Sequence, residues 1–129
     1  MKRIFLDTSF LLVPYQFKVD VIGEIERIAD FPYQLFIVDK TIDELDSIMK
    51  TQKGKDAAAA RFAHEIIRKE NIRILETTES FKNVDRLLIG CARPGEDIVA
   101  TQDRELKARL KENGIRIIGL RQKTHLTIN

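Results

Sequence analysis

Two aspartates stand where a short apolar run gives way to a helix-forming stretch. Asp7 directly follows Arg3-Ile4-Phe5-Leu6, and Asp103 follows Ile98-Val99-Ala100-Thr101 after one residue. In open parallel sheets ligands bind beyond the carboxyl ends of the strands, near the point where strand order reverses. Taken singly, each Asp is accounted for as a helix cap. Helical acids strengthen the pair. At about 100° per residue over 40–50, Ile42, Leu45, Ile48 and Met49 form one stripe. Glu44 and Asp46 border that stripe on opposite sides and Asp43 points away, so the geometry leaves both Glu44 and Asp46 as candidates. Asp85 falls in the first turn of a helix that Asn83 can cap, where a carboxylate suits the helix dipole whatever else it does. Carboxylates converging without a basic partner repel one another, and a divalent cation removes that cost. Mg²⁺ and Mn²⁺ favour all-oxygen sites and keep several waters. An acid cluster with a basic rim therefore fits metal-assisted phosphodiester hydrolysis.

The elements that must position these acids alternate along the chain. Strands are expected at 3–6, 35–38, 72–75, 98–101 and 115–120, each a short apolar run. Helical periodicity covers 19–29, 40–50, the Ala-rich 56–69, a segment capped by Asn83 and stopped by Arg93-Pro94-Gly95, and 104–111. Short apolar strands separated by helices imply a mostly parallel sheet covered on both faces, a three-layer α/β/α domain. Residues 121–129 are polar and basic and read as a tail that is loose in part.

The length of 129 residues fits one domain over 1–129, with 43% hydrophobic residues for a core. No apolar run approaches the roughly 18 residues of a membrane span. The lone Cys91 makes neither an internal disulfide nor a CxxC zinc site, so a cytoplasmic setting is expected. Charge is unevenly spread. Residues 104–129 hold seven basic residues against two acids, while the rest holds fifteen against eighteen. That split suits a basic edge for a polyanion beside an acidic centre.

Asp7-Thr8-Ser9-Phe10, Asp43-Glu44-Leu45-Asp46, Val84-Asp85 and the run from Ile98 through Thr101-Gln102-Asp103-Arg104-Glu105 to Lys107 together resemble a PIN domain, collinearly and over nearly the whole chain. The first and last motifs are the specific ones. The resemblance implies a central parallel five-stranded sheet of order 3-2-1-4-5, one or two Mg²⁺ or Mn²⁺ ions, and RNA as substrate. It implies Asp7, Glu44, Asp85 and Asp103 as catalytic, metal-holding acids, with Ser9, Thr101 and Glu105 ordering their surroundings. Arg104, Lys107, Arg109, Arg121 and Lys123 would track RNA phosphates. The chain's second half looks most like the small-subunit rRNA-processing branch of eukaryotes and archaea, although Asn83-Val84-Asp85 has one acid where that branch often has two. VapC-type toxins share the same acids. The implied activity is a divalent-metal-dependent endoribonuclease, with pre-ribosome factors, an antitoxin or a second copy of the chain as partners. The rival is a non-catalytic RNA- or protein-binding module.

Other features have plainer readings. Lys53-Gly54-Lys55 lacks the GxxxxGK[ST] pattern and reads as a turn. His64 and His125 have no metal-ligand spacing, and Cys91 is in phase with Leu87 and Leu88 as a core thiol. Phe10, Tyr15 and Phe17 read as packing or subunit-contact residues. Glu96 and Asp97 precede the fourth strand and read as turn residues at the far end of the sheet.

Overall fold

Strand β1 (Lys2–Leu6) is flanked on both sides by parallel partners and buried on both faces, as its unbroken apolar Ile4-Phe5-Leu6 requires. The computed structural model describes residues 1–78 and 83–129. After β1 come α1 (Thr8–Leu11), α2 (Val13–Phe17), α3 (Val21–Ile28), β2 (Tyr33–Val38), α4 (Asp39–Thr51), α5 (Lys55–Lys69) and β3 (Arg73–Leu75). The second half contains α6 (Val84–Cys91), β4 (Asp97–Ala100), α7 (Arg104–Glu112), β5 (Arg116–Arg121) and β6 (His125–Ile128).

The sheet order is β3-β2-β1-β4-β5-β6. The first five strands are parallel and follow the order the resemblance implies. Order reverses between β1 and β4, where Leu6 is in register with Ala100, so Asp7 and Thr101 emerge side by side at the carboxyl edge. Alternation divides the core. Ile4, Leu6, Ile98, Ala100 and Ile118 pack with Ile25 of α3, Leu45 of α4 and Ala60, Ala63 and Ile67 of α5. Phe5, Val99 and Ile117 pack with Leu87 and Leu88 of α6 and Leu106 and Leu110 of α7. The result is the expected α/β/α layering.

Residues 121–129 are more ordered than the sequence suggests. β6 pairs antiparallel with β5, with Leu120 opposite Leu126, and adds a sixth strand. Leu126 is fully buried, and its backbone N–H donates to Glu24 of α3 at 2.9 Å while its carbonyl accepts from Arg27 at 3.1 Å. The turn signal is missing because Gln122 and Lys123, at φ 54° and 59°, occupy positions that usually call for Gly or Asn. The segment read as a helix over 19–29 begins only at Val21, capped by Asp20, and two short helices precede it. Asp97 is not a turn residue but the buried first position of β4, although it does lie at the far end of the sheet.

Candidate active site

Each acid reaches the carboxyl edge for a local reason. β1 ends at Leu6, and Asp7 takes the N-cap position of α1 with extended backbone, yet its side chain makes no cap hydrogen bond. Capping therefore does not explain Asp7. Its Oδ2 instead accepts from Ser9 Oγ and Thr101 Oγ1, both at 2.7 Å. Asp7 is 3% exposed and Thr101 fully buried, so this hydroxyl pair holds a carboxylate that water barely reaches. Each hydroxyl also receives a backbone donor. Ser9 Oγ accepts from the Gln102 N–H at 3.2 Å and Thr101 Oγ1 from the Asp103 N–H at 3.1 Å. The chain thus fixes both hydroxyl protons toward Asp7.

Asp103 does cap α7, with Oδ1 accepting from the Leu106 N–H at 3.0 Å. The structural role and a ligating role are compatible, since a carboxylate has a second oxygen. On α4 the two candidates left open by the helical wheel separate. Glu44 Oε1 accepts from Thr8 Oγ1 at 2.7 Å, facing α1 and the site, whereas Asp46 lies 3.0 Å from His64 Nε2 on α5. Asp85 occupies the first turn of α6, whose cap is Asn83, with Oδ1 accepting from the Arg86 N–H.

A pattern runs through the set. Asp7, Glu44 and Asp103 each have one oxygen anchored by protein donors and, among the described residues, a second with no hydrogen-bond partner. Asp85 has neither oxygen bonded within the described residues. No Lys, Arg or His side chain among those residues forms an ion pair with any of the four. Partial burial, followed by the charges of Asp7, Asp103, Glu44 and Glu105, pushes the Asp85 carboxyl up to about 6. The acids therefore share one electrostatic field. They do not yet form a cage: among the described residues no three His, Cys, Asp or Glu side chains are grouped closely enough to hold a cation. The hard, all-oxygen donor set and its unrelieved repulsion nevertheless fit the chemistry of Mg²⁺ or Mn²⁺.

The remaining candidates divide by position. Glu105 is largely solvated and lies 3.3 Å from Arg109; the two line a depression of about 200 Å³ with Asp85 and Arg86. Arg104, Arg121 and Lys123 are exposed, and Lys107 is half-buried between α7 and β5. A larger depression of about 470 Å³, lined by Pro14, Val19, Phe62 and Ile66, is mostly apolar and holds none of the four acids. Two contributors escaped sequence reasoning. Thr8 orients Glu44, and Gln102 Oε1 accepts from the Leu120 N–H at 3.0 Å, tying the site loop to β5. Both lie inside motifs already singled out, but only the fold shows what they touch. Cys91 is half-buried, and burial raises its thiol pKa.

Comparison with known proteins gives a consistent picture. Residues 4–123 match the PIN-like domain family. Ribonuclease VapC4 of Methanocaldococcus jannaschii is 31% identical over 131 residues, covering 99% of this chain and 97% of that protein. Ribonuclease VapC9 of Archaeoglobus fulgidus is 32% identical over 111 residues, covering 85% of this chain and 76% of that protein. Among solved structures, the PIN domain endonuclease Utp24 superposes with a TM-score of 0.76 at 20% identity, covering 98% of this chain and 90% of that one. A domain of a functionally unknown Methanocaldococcus jannaschii protein superposes with a TM-score of 0.60 at 18% identity, covering 94% and 92%. Likeness at these identities speaks for the fold. No helix among the described residues is long and apolar enough to cross a membrane.

Proposed function

The chain belongs to the PIN-like domain family, and from that premise we propose that it is a divalent-metal-dependent endoribonuclease acting on single-stranded or structured RNA. The observation that carries the reading is the half-anchored acid set: three carboxylates with one oxygen fixed and one open, near a fourth whose pKa is raised by burial and then by their charge. Asp7, Glu44, Asp85 and Asp103 would hold one or two Mg²⁺ or Mn²⁺ ions. Such ions polarise a phosphate oxygen and make water a better nucleophile at neutral pH.

The chain's own contribution is orientation. Ser9 and Thr101 hold Oδ2 of Asp7 and leave its Oδ1 without a hydrogen-bond partner among the described residues. Thr8 does the same for Glu44, and the first turn of α7 does it for Asp103. Glu105 stands at the solvated rim, suited to ordering water rather than binding metal directly. Arg104, Lys107, Arg109, Arg121 and Lys123 supply a salt-dependent attraction for the RNA backbone.

Of the biological settings, a VapC-type role is favoured over pre-rRNA processing. Both relatives above 30% identity carry the VapC name, whereas the likeness to Utp24, at 20%, is one of fold. In that setting the chain acts in the cytoplasm and is silenced by an antitoxin partner.

Calorimetric titration of Mn²⁺ into the wild type and Asp7→Asn, paired with cleavage of single-stranded RNA with and without EDTA, tests the proposal. Metal binding and cleavage in the wild type, both lost in the variant, support it. Absence of Mn²⁺ binding in the wild type even with RNA present would replace it with the non-catalytic module. Growth arrest on expression, relieved by a small protein encoded alongside, would favour the toxin setting; normal growth with altered rRNA ends on depletion would favour rRNA processing.

A further inference from the structure

Lys107 lies one turn along α7 from Asp103, with its ammonium over β5. A Cβ placed on Gly119 would stand 3.0 Å from Lys107 Nζ, 3.5 Å from its Cε and 3.9 Å from the Thr101 carbonyl oxygen. Gly119 lies within a strand and is not among the glycines of positive φ, so no turn requires a glycine there. What the bare Cα supplies is room for the lysine head.

The amine occupying that room lacks a counter-ion. Lys107 is half-buried, and desolvation pushes its pKa down, with repulsion from Lys111 and Arg104 adding to the effect. Among the described residues its Nζ has no hydrogen-bond or ion-pair partner. Neighbouring cations are placed differently. Arg109 reaches Glu105, Arg116 Nε reaches the Asn129 carbonyl at 3.4 Å, and Arg104, Lys111 and Lys123 are exposed to water. A partly desolvated ammonium without an anion is unfavourable in the free protein, and a bound anion removes that cost.

The seat also adjoins the acid site through one residue. The Thr101 hydroxyl holds Asp7, and its carbonyl faces the space beside Gly119. Two opposite deficits thus sit next to each other: carboxylates without cations, and a lysine without an anion. A phosphodiester strand whose scissile phosphate lies at the acids would bring a neighbouring phosphate to the lysine.

We propose that Lys107 and the bare backbone of Gly119 form a seat for one phosphate of the RNA strand adjacent to the scissile one, so that Lys107 sets the path of the strand as a positioning residue. The inference rests on the ribonuclease reading and sharpens it. It separates one built contact from the general attraction of the exposed cations.

The test uses the full chain in EDTA, which keeps the RNA intact, and a labelled mixed-sequence single-stranded oligoribonucleotide followed by anisotropy across a range of NaCl concentrations. Lys107→Met keeps the apolar stem and removes the charge. It is expected to weaken binding roughly tenfold at low salt, as loss of a charge-assisted hydrogen bond should. It should also flatten the slope of log affinity against log salt by about 0.7, the value for one phosphate on a single strand. The exposed control Lys111→Met should weaken binding by less than about threefold, since a fully solvated charge is heavily screened. Gly119→Ala keeps every charge but displaces the amine, and should weaken binding in the same direction as Lys107→Met. Melting temperatures near or above that of the wild type would confirm that the variants fold. Equal losses in Lys107→Met and Lys111→Met would mean a diffuse field and overturn the seat. Unchanged affinity in Lys107→Met or Gly119→Ala would overturn it while leaving the ribonuclease reading in place. Failure of the wild type to bind the oligoribonucleotide both in EDTA and with Ca²⁺ added would overturn both.

Discussion

At the amino end of β4 a carboxylate is met by a guanidinium and a backbone N–H; at the carboxyl end carboxylates stand, among the described residues, without a paired cation. Asp97 has 1% of its side chain exposed. Its Oδ1 accepts from Arg3 Nε at 2.9 Å, and its Oδ2 accepts from Arg3 Nη2 at 2.7 Å and the Arg93 N–H at 2.8 Å. Both oxygens are occupied, as a buried charge requires. At the other end of the strand Asp7, Asp103 and Glu44 are held by hydroxyls and a backbone donor, and with Asp85 they have no paired cation among the described residues. One fold can therefore neutralise a buried acid fully, and at its other end it does not. The difference separates an acid with both oxygens occupied from acids that each keep an oxygen without a partner among the described residues.

The contrast can be broken from either end. The largest expected effect on stability is at the neutralised end. Asp97→Ala strands a guanidinium and should cost about 3 kcal/mol, read from urea unfolding, with cleavage per folded molecule unchanged. At the open end the largest effect is kinetic. Asp7→Asn should lower single-turnover RNA cleavage by at least ~100-fold, or about 2.7 kcal/mol in the barrier, with little change in melting temperature. A drop in stability matching that of Asp97→Ala would erase the distinction.

A smaller effect comes from relieving repulsion in the metal-free protein. Asp85 has its carboxyl pushed up to about 6 in the folded state from an ordinary value of 3.8. Between those values the folded state keeps a proton that the unfolded state releases, so this contribution to stability falls as pH rises through the window and levels off above it. Asp85→Asn escapes that loss. In EDTA its advantage over the wild type should grow from about pH 4 to pH 6.5 and then stay constant, reaching about 1 kcal/mol after allowance for solvent screening. That is a few degrees in melting temperature. Added Mn²⁺ should reverse the order by stabilising the wild type more. The smallest effect belongs to Glu105, solvated and paired with Arg109. Glu105→Gln should change cleavage by less than about threefold, because an exposed pair contributes little. A loss as large as that of Asp7→Asn would move Glu105 into the metal-holding set.

Much of this arrangement is legible in the residue order. Short unbroken apolar runs such as Ile4-Phe5-Leu6, bounded by turn and cap residues, read as buried strands, and their alternation with helical stretches gives a parallel sheet with acids at its strand ends. β6 is less legible, because its four residues alternate too briefly to stand out and its turn uses Gln122 and Lys123. Its order depends on Glu24 and Arg27, about a hundred residues away, which bond the Leu126 backbone. Asp97 looked like a loop acid because its partner Arg3 lies at the other end of the chain.

What the sequence determined by itself is most of the elements and the layering, since these follow from local periodicity, while the set of candidate acids comes from a resemblance in short motifs. Which carboxylate oxygens are held and which are open, the contact of Glu44 with Thr8 and of Asp46 with His64, and the placement of Lys107 over Gly119 were decided only by tertiary structure. Hydrogen bonds and burial act over a few ångströms, between groups that the chain brings together from segments far apart. No pattern read along a single segment contains that proximity.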